Sequence, residues 1–537
     1  MSSSAPSIEG WSQSYRGLAL LSGLLLGVST PTLGLWPLIF IAFVPLLYAV
    51  EQAWIRQRLG AARAFQYGLL AGILYCIPNF AWLVNVKAWI LPLVVLGYAM
   101  QFGVLATGIV FGLKAGLRDA PLSLWVACLW VSVEILASDV FAQVPSISTG
   151  LLLWKCPLLI QTADLAGAFA ASFWIIAVNV LAARVLLNGW RACRTWGAVV
   201  IALTLAVLGY GYARLSAPHP ASGTSSAEKP LAVTLVQSAV ETAKKEERDT
   251  IHAVLNELVM RTIEATEARG TPTDLVVWPE TSVPVYLRSL EEKDIVDELL
   301  RTARAAHAPI LVGAYGLKKA GAGGNPETYN AVFLVPPKGY IAQEYRKVIL
   351  VPFYERWPFY SRLPPWFRER IEGVQESPGE EPGLLELSDG RKFGTSICWE
   401  TFYPGYVRQA ARDGAQFLVS NTNDDAYYAD LGHTDRIPLA QSIFRAVETR
   451  LYILRCTNMG VTMLISPRGE IVASLPLAKA GALSVQFVPS SGGSFMTRRG
   501  FVLAKGLFWA TVVWAVLLGL RRHPGIRPST TATPASI

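Results

Sequence analysis

The sequence predicts two structural classes in one chain: an α-helical bundle of about eight membrane spans and, outside the membrane, an α/β sandwich domain. Three observations predict this. Of the 537 residues, 52% are hydrophobic and only 16% charged, too apolar a balance for an ordinary soluble protein. The apolar residues gather in charge-poor runs up to about Arg214 and in one more run near the C-terminus. Residues 215–490 have ordinary globular composition instead, with short β-branched runs alternating with helical patterns.

A helix needs about 20 predominantly apolar residues to cross roughly 30 Å of hydrocarbon. Runs of that kind fall near 17–33, 34–50, 64–83, 89–113, 121–138, 166–187, 196–213 and 501–520. The first two are short and separated by Ser-Thr-Pro-Thr-Leu-Gly, so they can form a broken hairpin. An N-terminal bundle over 17–213 and a C-terminal span over 501–520 are expected. Basic residues follow every even-numbered span: Arg56, Arg58 and Arg63, then Lys114 and Arg118, then Arg191 and Arg194, then Arg521 and Arg522. Positive loops favour the cytoplasm, which puts both termini inside and the intervening domain outside. The net charge of +8 is therefore topology signal, and no aromatic-interleaved basic stripe points to nucleic acid. The first residues lack a basic-then-apolar signal with a small-residue cleavage site, so span one reads as an uncleaved anchor.

Between the membrane segments, 229–488 forms the globular domain, tethered by a Ser-, Pro- and Ala-rich stretch after span seven. Strands are predicted at 231–237, 274–280, 308–315, 330–337, 392–400, 415–423, 451–458 and 461–467, with helices near 242–268, 290–306 and 434–450. That alternation reads as an α/β sandwich around a central sheet. Of six cysteines only Cys398 and Cys456 lie in this domain, too few for a disulfide scaffold. Cys456 reads as a packed strand residue. Glu134, inside span five, reads either as a functional group or as a polar contact between helices.

The histidines His252, His307 and His433 stand in unrelated contexts, so no Ser-His-Asp triad and no metal site is evident, and glycine patterns for nucleotides are missing. No cofactor is expected. Polar residues at strand ends stand out instead: Glu280 in Val-Val-Trp-Pro-Glu-Thr, Lys347 before Val-Ile-Leu-Val-Pro, and Cys398 in Thr-Ser-Ile-Cys-Trp-Glu. A thiol attacks as thiolate and needs a base, which a buried carboxylate supplies; a lysine can stabilise a tetrahedral oxyanion. Taken singly, the three also read as a buried thiol, a helix cap and a solvated charge.

Trp-Pro-Glu, the Lys347-to-Glu355 spacing in KVILVPFYE, and Cys-Trp-Glu resemble the Glu-Lys-Cys signature of the nitrilase superfamily. With seven spans before and one after, the chain resembles the apolipoprotein N-acyltransferase family over nearly its whole length. FAWL at 80–83, LWVSVEIL at 129–136 and the run at 159–179 support the likeness. The resemblance implies a multi-pass protein of the bacterial inner membrane with a periplasmic nitrilase-like domain. It implies that Cys398 takes an acyl chain from a membrane phospholipid as a thioester, with Glu280 as base and Lys347 at the oxyanion. A diacylglyceryl-cysteine lipoprotein amine then accepts the chain. Glu355 and Glu400 match supporting carboxylates that would orient Lys347 and polarise the site. Trp399 stands where the family has Tyr or Phe, and Asp424, Asp425 and Tyr427 depart from its Asn-Asp-Ala-Trp-Phe-Gly. The ETAKKEE stretch departs near the domain start. A membrane-anchored amidase with water as acceptor is the alternative, and an inactive lipoprotein-binding protein a more distant one.

After Lys347, Trp357, Phe359, Tyr360, Trp366 and Phe367 are interleaved with Arg356, Arg362, Arg368 and Arg370. Aromatic and basic residues together favour the headgroup zone of a bilayer, and Pro358, Pro364 and Pro365 forbid one regular helix. The expectation is an irregular arm in which Trp357, Trp366 and Phe367 gate lipid; packing on the domain's own surface is the other reading.

Overall fold

The computed structural model describes residues 8–140, 148–217, 229–240, 248–318, 326–371, 375–425 and 436–520. The bundle contains α1 (Ile8–Val28), α2 (Trp36–Gln57), α3 (Ala61–Phe80), α4 (Ile90–Lys114), α5 (Asp119–Val140), α6 (Ala168–Ala192) and α7 (Arg194–Ser216). Among the described residues, six helices are long and apolar enough to cross a membrane: α2, α4, α5, α6, α7 and Val502–Leu520 near the C-terminus. The expected count of eight is therefore not reached. The helix over the first expected span is apolar only over Ser14–Val28, and α3 carries Arg63, Gln66 and Asn79, which lower its hydropathy. Both still pack in the bundle. A Cβ at Gly68 of α3 would stand 2.0 Å from the Phe102 carbonyl oxygen of α4, so these two backbones touch where only glycine fits. Glu134 accepts hydrogen bonds from the backbone N–H (2.7 Å) and hydroxyl of Thr149, a contact that ties α5 to the 3-10 turn Thr149–Leu153.

Among its described residues the globular domain has thirteen strands in two sheets, an α/β sandwich as expected, with a second sheet where the pattern suggested a central one. The first sheet runs β13-β1-β2-β4-β5-β6, with β3 beside β4, and the second runs β12-β11-β10-β9-β8-β7. In the first sheet these are β1 (Leu231–Gln237), β2 (Leu275–Val277), β3 (Val283–Tyr286), β4 (Ile310–Lys318), β5 (Glu327–Val335), β6 (Gln343–Arg346) and β13 (Gly481–Phe487). The second holds β7 (Gly383–Glu386), β8 (Lys392–Ile397), β9 (Phe417–Thr422), β10 (Ile453–Thr457), β11 (Met463–Ile465) and β12 (Ile471–Ser474). Parallel pairing joins β1 to β2, β2 to β4, β8 to β9 and β9 to β10.

Period-two alternation explains why both faces of the central strands are apolar. Leu231, Val233 and Leu235 of β1 pack against Phe393, Phe417 and Val419 of the second sheet, forming the core between the sheets. The opposite face of the first sheet, with Val276 and Val312, takes Leu255 and Leu258 of α8 (Arg248–Arg269) and Leu299 of α9 (Lys293–Ala305). The outer face of the second sheet, with Leu418 and Ile453, packs on α10 (Pro404–Arg412) and α11 (Arg436–Thr449). That last core runs on without interruption into the membrane bundle. The C-terminal span is α12 (Val502–Leu520), against α5. Cys456 lies fully buried between the sheets, its thiol directed at the Val277 and Val236 carbonyls, a packed strand residue as expected.

Ionic and polar contacts fasten the domain to the bundle. Asp164, ahead of α6, receives two hydrogen bonds from Arg450 (2.7 and 3.0 Å), one from Tyr210 (2.7 Å) and an ion pair from Arg214. Arg450 also donates to the Gln161 side chain at 2.6 Å.

Candidate active site

Three strand ends converge at one edge of the two sheets. Beyond β2 the chain turns through Trp278 and Pro279 to Glu280. This turn passes so close to β4 that a Cβ at Gly313 would meet the Pro279 carbonyl oxygen at 2.3 Å. Beyond β6 lies Lys347, whose N–H donates to the Asn330 carbonyl of β5 at 2.8 Å. Beyond β8 the chain enters a 3-10 turn at Cys398, which adopts a left-handed φ of 51°. A non-glycine residue held there costs about 1–3 kcal/mol and aims its side chain out of the strand.

Lys347 is wholly buried, its ammonium 2.6 Å from Glu355 and 3.3 Å from Glu280. Asn330 donates to both carboxylates, at 2.8 Å to Glu280 and 3.3 Å to Glu355. The other Glu280 oxygen accepts the Asn423 backbone N–H at 2.7 Å, and the Asn423 carbonyl faces the Cys398 thiol at 3.8 Å. One residue thus links the Glu280 carboxylate and the thiol. Desolvation pulls the Lys347 ammonium down, but Glu355 and then Glu280 outweigh it and hold it well above its ordinary 10.5. Desolvation and then the Glu280 charge push the Cys398 thiol well above 9.0, with Lys347 opposing them. At rest the sulfur carries its proton, so attack requires that proton to leave as the bond forms.

Glu355 touches Lys347 directly and also accepts the Val351 N–H at 2.7 Å, so it holds both the ammonium and the loop that carries it. Glu400 makes its contacts with the backbone on either side of the site. One oxygen accepts from the Tyr345 hydroxyl (2.6 Å), Val348 N (2.7 Å) and Ile349 N (3.1 Å), and the other accepts from Ile397 N (2.7 Å). It clamps the chain after Lys347 to the chain before Cys398. Burial pushes its carboxyl up to about 7, against those hydrogen bonds. Sequence reasoning missed Asn330, Asn423 and Glu376. Glu376 is held well above 4.5 by burial and then by Glu355.

Trp399 is buried and stands edge-on to Trp82 of the bundle at 5.7 Å. The arm reaches the same rim. Trp89, just before α4, meets Phe353 edge-on (5.2 Å) and Trp357 at a tilt (6.3 Å), Trp357 meets Phe367 at 5.7 Å, and Phe367 meets Trp366 at 5.6 Å. Trp366 and Phe359 are largely exposed. Tyr427, His433 and the ETAKKEE stretch lie outside the described residues. Among the described residues, no cluster of His, Cys, Asp and Glu could hold a metal.

A thiol, an ammonium and a carboxylate at the end of two stacked sheets define a class. Residues 232–495 match the carbon-nitrogen hydrolase family. The membrane part narrows this, since residues 22–181 match the apolipoprotein N-acyltransferase N-terminal domain. A relative named apolipoprotein N-acyltransferase in Chlorobaculum tepidum is 30% identical over 89% of this chain and 92% of its own. One from Sinorhizobium fredii is 30% identical over 97% of each chain. Nit3 of Saccharomyces cerevisiae, a nitrilase-superfamily structure, is 20% identical, with a TM-score of 0.37 over 52% of this chain and 97% of its own. The chain belongs to the apolipoprotein N-acyltransferase family and is a multi-pass membrane acyltransferase.

Proposed function

We propose that the protein moves a fatty acyl chain from a membrane phospholipid to the N-terminal amine of a diacylglyceryl-cysteine lipoprotein, through a thioester on Cys398. The observation that carries this reading is Lys347, buried between Glu280 and Glu355 at the strand end beside Cys398. In the first half-reaction Cys398 Sγ attacks the ester carbonyl while Glu280 takes the thiol proton. Lys347 faces the tetrahedral oxyanion. The C–O bond breaks, Glu280 returns the proton to the leaving oxygen, and lysophospholipid departs. In the second half the lipoprotein amine attacks the thioester, Glu280 accepts its proton, and the C–S bond breaks to restore the thiol.

Glu355 and Glu400 serve as positioning residues, the first on Lys347 and the second on the backbone around it. Trp357, Trp366 and Phe367 form a gate at the headgroup level, a role supported by their ring contacts to Trp89 at the start of a membrane helix. The domain stands on the periplasmic face of the inner membrane, as the basic exits of the even-numbered spans support. The test is incubation of the purified protein with phospholipid and a diacylated lipopeptide. N-acylated peptide with lysophospholipid is the expected outcome; free fatty acid alone would make it a hydrolase, and no conversion would refute both.

A further inference from the structure

Apart from the Cys398 cleft, a cavity of 370 Å³ lies where α5, α6 and α12 meet the catalytic domain. All three helices contribute residues from the ends nearest that domain, the level at which hydrocarbon gives way to headgroups. Ile135, Leu151, Phe169 and Phe501 make apolar walls. Arg445 and Lys505 bring positive charge, one from α11 and the other from α12.

Arg445 is only 2% exposed and pairs with Glu448 at 2.8 Å, yet its Nη1 has no hydrogen-bond partner among the described residues. An unmet donor on a buried guanidinium is costly, and an anionic oxygen would relieve that cost. Glu448 offsets one of the two cations and leaves the other uncompensated. An apolar chamber with one spare positive charge at headgroup depth fits an amphiphile with a single negative charge. Phe402 lines both this chamber and the small pocket at Cys398, so the two are neighbours.

We propose that this cavity binds one anionic glycerophospholipid that does not react, its phosphate held by Arg445 and Lys505 and an acyl chain laid along Ile135, Phe169 and Phe501. Such a lipid bridges α11 of the catalytic domain to α12 of the bundle and packs against Phe402. The inference is independent of chemistry at Cys398, and its test removes that chemistry.

Full-length Cys398→Ala protein, stripped of lipid in a neutral detergent, is titrated calorimetrically with dihexanoyl phosphatidylglycerol, dihexanoyl phosphatidylcholine and sn-glycerol 3-phosphate. Saturable binding of phosphatidylglycerol at least tenfold tighter than of phosphatidylcholine is expected. Lys505→Met should cut that preference by about tenfold, the loss of one charge-assisted contact. Arg445→Met alone strands Glu448, so Arg445→Met with Glu448→Gln is the folded control, and it should abolish the preference. Ala504→Trp, which fills the chamber, should remove the tight site. A preference that survives all three variants would overturn the proposal, because the lipid would then bind elsewhere. Glycerol phosphate binding as tightly as the lipid would also overturn it, by assigning the site to a free phosphate.

Discussion

Replacing Lys347 by Met separates two contributions that the site combines. The ammonium contacts Glu355 at 2.6 Å and Glu280 at 3.3 Å and is fully buried. Its removal leaves two buried carboxylates sharing Asn330 with no cation, and breaking a buried pair in this way costs about 3–5 kcal/mol of stability. The transition state separately loses a preorganised partner for the oxyanion, worth about 100- to 1000-fold in rate. A second substitution tells these apart. In Lys347→Met with Glu355→Gln, one of the two stranded charges is gone, and Asn330 keeps its donation to Glu280. Thermal unfolding in detergent should recover part of its loss in the double variant. Thioester formation from labelled phospholipid should stay at least about 100-fold slow in both. If the double variant regains a rate within tenfold of the parent, Lys347 serves charge neutralisation alone and the oxyanion role is wrong.

Three further outcomes follow from named contacts. Because burial and Glu280 hold the Cys398 thiol above 9.0, its alkylation by iodoacetamide should climb about tenfold per pH unit up to that value without levelling, and a plateau at neutral pH would contradict the account. Changing Trp357, Trp366 and Phe367 together to Ser should slow acylation by bilayer phospholipid far more than acylation by a water-soluble short-chain ester; equal slowing would mean a collapsed site and not a lost gate. Asp164→Asn weakens a buried partner of Arg450 and Arg214 and should lower the unfolding midpoint, while Arg450→Gln added to it should cost little more; full additivity would show that these groups do not act as one unit.

What the sequence made legible follows from what each signal depends on. Glu280, Lys347 and Cys398 stood out because each is a polar residue at the end of an apolar strand, and the fold brings those ends together. Asn330 was hidden because it opens the apolar run 330–337 and looked like its boundary. Its position on β5, opposite Tyr315 of β4, is what turns it toward the carboxylates, and pairing of that range is not written locally. Glu400 entered only through the family resemblance, and what it holds follows from tertiary structure, since its oxygens accept from backbone N–H groups of two separate loops. The second sheet escaped notice because four of its strands read as runs with no pairing order, which local sequence does not carry, and because its edge strand Ile471–Ser474 is short and largely exposed. The pairing of Trp399 with Trp82 joins distant parts of the chain and follows only from the docking of the two domains.

The most direct test of the central claim is the intact mass of the purified protein after incubation with a single defined phospholipid and no acceptor. The account predicts one added acyl group, mapped to the peptide containing Cys398, released by neutral hydroxylamine as a thioester is, and transferred to a diacylated lipopeptide added afterwards. An adduct on Cys456 or on a hydroxyl group, or normal transfer by Cys398→Ala protein, would contradict it.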